Sequence, residues 1–144
     1  GNSGKYVVTL KNVGISDISD IKFFDDYILS ITDSSKTIKN KYFGEILGTP
    51  RITINKLAKG DSSVINIDVS PVSQRMTEYA LKYKGTKVQL VRILIKYNRL
   101  IDSKEFSYLK FYLISNDFLI DFEERGIQAL GISYSEIKKS LKIE

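Results

Sequence analysis

Asp25 and Asp26 are the residues whose type and spacing most invite chemistry. Adjacent carboxylates suit a hard cation such as calcium, which takes about six to eight oxygen ligands from several loops. Asp17 and Asp20 lie just upstream, and Asp33 or Asp61 could join them in the fold. Against such a site, no twelve-residue calcium loop is present. Successive residues on a strand also point to opposite faces. The sequence therefore predicts a solvated strand end at Asp25-Asp26, with no metal and no cofactor.

Catalytic alternatives find little to work with. Carboxylate pairs for glycoside hydrolysis could be drawn from Glu45, Asp68, Glu78 or Glu105. Any chain with 17 acids offers such pairs, however, and spacing in sequence does not test separation in space. The chain has no histidine and no cysteine. Those absences remove histidine-based triads, thiolate nucleophiles, disulfides and most transition-metal sites. No Gly-x-Ser-x-Gly elbow and no Gly-x-x-x-x-Gly-Lys-Ser/Thr phosphate loop occurs. A non-enzymatic protein is expected.

Tyr97, Tyr108 and Tyr112 could form a stacking platform for sugars or bases. They fall in predicted strands, where core or cross-strand packing is the expected role. The net charge of +5 comes mostly from lysines spread along the chain, and reads as solubility. No nucleic-acid-binding motif accompanies it, so nucleic acid is not expected as a partner. No apolar run approaches the roughly 20 residues of a membrane span. Gly1-Asn2-Ser3-Gly4 reads as a flexible or cut lead-in, which leaves the compartment open.

The elements that position these residues are mostly strands. Val, Ile, Leu, Tyr and Phe dominate the apolar content, and such side chains favour a pleated surface. Tyr6, Val8 and Leu10 alternate with Val7, Thr9 and Lys11. Asn12-Val13-Gly14 then breaks the strand, because Asn and Gly tolerate positive φ. A second strand runs through Ile18, Asp20, Ile21 and Phe23 and ends at Asp25-Asp26. Tyr42 to Gly48 reads as an edge strand. Arg51-Ile52-Thr53-Ile54 and Ser63 to Val69 pair across a Leu57-x-x-Gly60-Asp61 turn, with Gly60 left-handed and Pro71 closing the second strand.

Gln74 to Lys84 fits either a short helix or a strand. Val88 to Tyr97 is apolar on both faces and reads as a central strand. Glu105 to Ile114 follows as another long strand. Phe118, Leu119 and Phe122 take helical spacing after Asp117, with Gly126 ending that turn. Ser133 and Glu136 form a capping box ahead of Ile137 and Leu141. These two residues mark a short amphipathic helix, packed on the body or offered to a partner. The fold expected is all-β: an immunoglobulin-like β-sandwich of about seven strands with a short C-terminal amphipathic helix. Residues 1–116 form the sandwich, and 117–144 a helical appendage of the same domain.

The ordered series Asn12-Val13-Gly14, Asp20-Ile21, Asp25-Asp26, Arg51-Ile52, Ala58-Lys59-Gly60, Val64 to Val69 and Pro71 resembles the lumenal domain of the translocon-associated protein complex beta subunit, the signal-sequence receptor. The resemblance covers roughly Tyr6 to Tyr97. Tyr27-Ile28 stands where that family tends to carry Phe-Pro. The resemblance implies a non-enzymatic, membrane-anchored module on the lumenal face of the endoplasmic reticulum. Its partners would be other complex subunits or the translocon, and it would assist protein translocation. An alternative is an extracellular immunoglobulin-like domain of a prokaryotic, archaeal surface or filament protein. The Asn-x-Gly break and the Leu-x-x-Gly-Asp turn recur in such adhesion-type domains.

Overall fold

The computed structural model describes residues 4–115 and 118–143. Among them, eight strands form two antiparallel sheets, joined by three short helices. β1 (Lys5–Lys11) pairs with β5 (Ser62–Asp68) in a small two-stranded sheet. The large sheet runs β3 (Ile38–Phe43), β2 (Ile18–Thr32), β6 (Thr86–Arg99), β7 (Lys104–Ile114), β8 (Leu119–Asp121). β4 (Ile52–Leu57) also joins β2, so the pairing of β4 with β5 expected across the Leu57-x-x-Gly60-Asp61 turn is corrected: the turn carries the chain from one sheet to the other.

β2 is the spine. Along one edge it pairs with β6, from Ile18↔Arg99 to Thr32↔Thr86. Its other edge is shared: β4 takes Ile18 to Phe23 and β3 takes Tyr27 to Thr32. The expected stop at Asp25-Asp26 is therefore corrected, because β2 passes through both acids without a break. A register shift between Ser19 and Lys22 marks a bulge, with Asp20 at φ +50. The bulge lets Ile18, Ile21 and Phe23 share one face.

Both faces of the large sheet carry a packed layer, one of them over only part of its width. On one, Phe23, Leu29, Val91 and Ile93 meet Tyr6, Ile65 and Ile67 of the small sheet. Met76 and Ala80 of α1 (Ser70–Ala80) complete this core. Pro71 opens α1 rather than only closing a strand, since a first-turn residue needs no N–H partner. On the opposite face, Ile28, Leu94 and Phe111 are covered by Ile127 of α2 (Glu124–Ala129) and Ile137 of α3 (Tyr134–Ser140).

The C-terminal reading needs three corrections. Leu119–Asp121 is a strand on the outer edge of β7, where open ladder groups outweigh the helical spacing of Phe118, Leu119 and Phe122. Gly126 lies inside α2 instead of ending a turn, and a Cβ there would come within 2.6 Å of the Phe122 ring. The Ser133 hydroxyl does accept from the Glu136 N–H and start α3. Ile137 and Leu141, however, are buried against the sheet, so neither is free to anchor a partner. The expected boundary at 116/117, with Asp117, lies outside the described residues.

If the C-terminal layer is core, Leu141→Ala destabilises the protein by about 2–5 kcal/mol. Urea unfolding measures this, and a peripheral helix would lose less than about 0.5 kcal/mol.

Candidate functional site

The two central acids of β2 point to opposite faces, and each meets an arginine. Asp26 faces Arg92, its direct cross-strand partner on β6. Arg92 Nε donates to Asp26 Oδ1 at 2.8 Å and Nη2 to Oδ2 at 2.5 Å, with both residues buried. The Ile46 N–H donates to Asp26 as well. Burial raises the Asp26 carboxyl above its ordinary value, against the opposing pull of Arg92. On the other face, Arg51 Nε and Nη2 donate to Asp25 at 2.9 and 2.6 Å. The Tyr27 hydroxyl donates to the same carboxylate at 2.5 Å. Burial, then this bond, pushes the Tyr27 phenol well up.

Both carboxylates thus hold the sheet together, and both take a partner from the segment between β3 and β4. The remaining candidate ligands are scattered. Asp17 accepts from the Lys59 N–H, Asp33 from its own turn at Ser35 and Thr37, and Asp20 from Asn98 across the bulge. Asp68 accepts from Ser70, and Glu78 from Gln74. Glu45 lies between β3 and β4, and Glu105 in β7. Among the described residues, no three acidic, His or Cys side chains gather where they could hold a metal. None of their helices is long and apolar enough to cross a membrane.

The Asn12-Val13-Gly14 break works differently from the positive-φ turn expected. Neither Asn12 nor Gly14 has positive φ, whereas Gly60 sits at +84. Asn12 is buried and acts as a knot. Its Nδ2 donates to the carbonyls of Ser16 and Leu57, and its Oδ1 accepts from the Gly14 N–H. Its main chain exchanges bonds with Asp61 and Gly60. The break and the Leu57-x-x-Gly60-Asp61 turn are one interlocked corner.

Beside this corner opens a cavity of about 490 Å³, which the sequence reading did not anticipate. Its floor is one face of two neighbouring strands: Ile93, Ile95 and Tyr97 of β6, and Phe106, Tyr108 and Tyr112 of β7. Its wall is the continuous run Val8 to Ser16. A strand meeting a groove with its face would contribute alternate residues. Unbroken lining from Val8 to Lys11 means that β1 presents its backbone edge. β1 is pinned near both of its own ends, by Asn12 just past one and by the Tyr6 hydroxyl donating to the Ser115 carbonyl at the other.

Tyr97 and Phe106 stack with centroids 5.6 Å apart, as expected for a cross-strand pair. Tyr108 is half exposed, at 50%, and Val13 and Ile15 on the neighbouring loop are 83% and 73% exposed. The charged side chains of the lining are Lys11, Arg99 and Lys110, all cationic. Arg99 lies over Phe106 and is paired with Asp102, and Lys110 is paired with Asp121. The arrangement offers apolar contact, an open strand edge and positive charge, with no nucleophile–base pair. Tyr97, Tyr108 and Tyr112, weighed in the sequence as a stacking platform and expected in core or cross-strand packing, all line it, and Tyr108 is half exposed. No family model matches the chain, and no curated protein matches it in sequence.

Asp26→Asn leaves Arg92 buried without a counter-charge and destabilises by about 3–5 kcal/mol. Asp25→Asn costs about 1 kcal/mol, because Arg51 is a third exposed. Urea unfolding of both variants ranks them. Acid titration provides a further check. The Arg99 guanidinium, first among its contacts, lowers the Asp102 carboxyl from 3.8 to about 2. Its contribution to stability is therefore complete above about pH 4 and lost as pH falls toward 2. Asp102→Asn flattens the fall in the unfolding midpoint below pH 4, and an unchanged slope would refute the assignment.

Proposed function

We propose that this chain is a non-enzymatic, protein-binding module built as an immunoglobulin-like sandwich. Two antiparallel sheets sharing one core support the fold reading. The observation that carries the binding reading is the groove. A sandwich needs no open apolar channel between its sheets for stability, and exposed apolar patches mark interaction sites. Half-exposed Tyr108 and exposed Val13 and Ile15 at its mouth are the kind of side chains that anchor a partner.

Two settings suit such a module. One is the lumenal face of the endoplasmic reticulum, as a membrane-anchored relative of the translocon-associated beta subunit, binding complex subunits or the translocon. Two markers of that resemblance, Asp25 and Arg51, stand together as an ion pair. The other is a prokaryotic surface or filament protein. Its markers, the Asn12-x-Gly14 break and the Leu57-x-x-Gly60-Asp61 turn, interlock at one corner.

A photo-reactive side chain at Tyr108 in the native cell tests the reading. It is expected to cross-link to a defined protein, identified by mass spectrometry, while the same group at Leu81, exposed just past α1, does not. Translocation-channel or complex subunits support the first setting, and surface-layer or filament subunits the second. Turnover on a glycoside or peptide panel that is lost in Asp25→Asn would overturn the binding reading.

A further inference from the structure

The groove has a wall that can hydrogen-bond. In an antiparallel pair, alternate residues direct both main-chain groups toward the partner, and those between direct theirs away. The Val69 N–H donates to the Gly4 carbonyl, and the Asn12 N–H to the Asp61 carbonyl. With the register Val8↔Ile65, this assigns Tyr6, Val8 and Leu10 to bonds with β5. Val7, Thr9 and Lys11 therefore turn their N–H and C=O groups to the outer edge. Among the described residues, β1 pairs with β5 alone.

Long open edges are usually covered or blunted, because they template pairing with another chain. Here the open stretch runs along an apolar floor. Val7 to Lys11 spans about 13 Å at strand rise. A strand laid against it would drop every second side chain onto Ile95, Tyr97, Tyr108 and Tyr112 and turn the others toward solvent on the side of Lys11.

We infer that β1 accepts an extended segment of another protein, with alternating apolar and acidic residues, as a third strand of the small sheet. This rests on the protein-binding reading and specifies its occupant. Charge selects that occupant. Of the three cations in the lining, Arg99 and Lys110 are paired with Asp102 and Asp121, whereas Lys11 has no ion-pair partner among the described residues, and the chain itself carries +5. A second copy would bring like charge to a like-charged groove, whereas acidic side chains complement it.

Fluorescein-labelled peptides of alternating valine and glutamate, or valine and lysine, test this by anisotropy and by backbone-amide NMR. The glutamate peptide is expected to bind about tenfold more tightly than the lysine peptide at low salt, and Lys11→Glu to narrow that ratio about fivefold. Binding should shift the amides of Val7, Thr9 and Lys11 more than those of Val8 and Leu10. Thr9→Pro removes one outward donor and should weaken binding more than tenfold. N-methylating alternate peptide amides does the same from the ligand side and leaves the protein untouched. Equal binding of the methylated peptide, equal binding of the lysine peptide, or self-association through the groove in sedimentation would overturn strand addition. If Tyr108 cross-links persist while N-methylation has no effect, the protein-binding reading stands and strand addition falls.

Discussion

A fifteen-residue strand with two adjacent carboxylates at its centre holds together because each is met by a guanidinium on its own face. Removing two charges from water is costly, and only bidentate geometry with further hydrogen bonds offsets it. Asp26 and Arg92 satisfy that requirement directly across β2 and β6. On the other face, Arg51 closes the gap between β3 and β4, and its own N–H donates to the Phe23 carbonyl. Two short strands can therefore share one edge of β2. The acids are the hinge of the large sheet's pairing.

The large sheet is wider than the small sheet that packs on it. β1 and β5 cover the β2 and β4 side through Tyr6, Ile65 and Ile67, while part of the β6–β7 face stays open. On the opposite face, α2, α3 and Leu141 bury Leu90, Leu94 and Phe111 at the sheet's centre. The C-terminal segment thus acts as a third layer. The groove follows from this asymmetry together with the Asn12 knot and the Tyr6–Ser115 bond, which fix β1 at both ends.

Much of the sheet was legible from alternation. Tyr6, Val8 and Leu10, then Ile65, Ile67 and Val69, and the two apolar faces of Val88 to Tyr97 all face as their spacing implies. Alternation reports half-burial, so it serves where one face meets a core. It failed at Asp25-Asp26, because the partner Arg92 lies 66 residues away and no local pattern announces it. It failed at Leu119–Asp121, where the edge of β7 dictates a strand too short to carry its own signal. Gln74 to Lys84 stayed ambiguous because Met76, Tyr79, Ala80 and Tyr83 take helical spacing while Tyr79 to Tyr83 also alternates; the helix runs Ser70–Ala80. The groove was hidden for a different reason: it arises from what one sheet leaves uncovered by the other, and local sequence does not encode that.

The central claim is that β1 carries an open hydrogen-bonding edge over an apolar floor. Residue-resolved amide hydrogen exchange in the free protein tests it most directly. The account predicts strong protection at Val8 and Leu10, which bond β5, and fast exchange at Val7, Thr9 and Lys11. Uniform protection along Val7 to Lys11 would contradict it, because the outer edge would then already be paired.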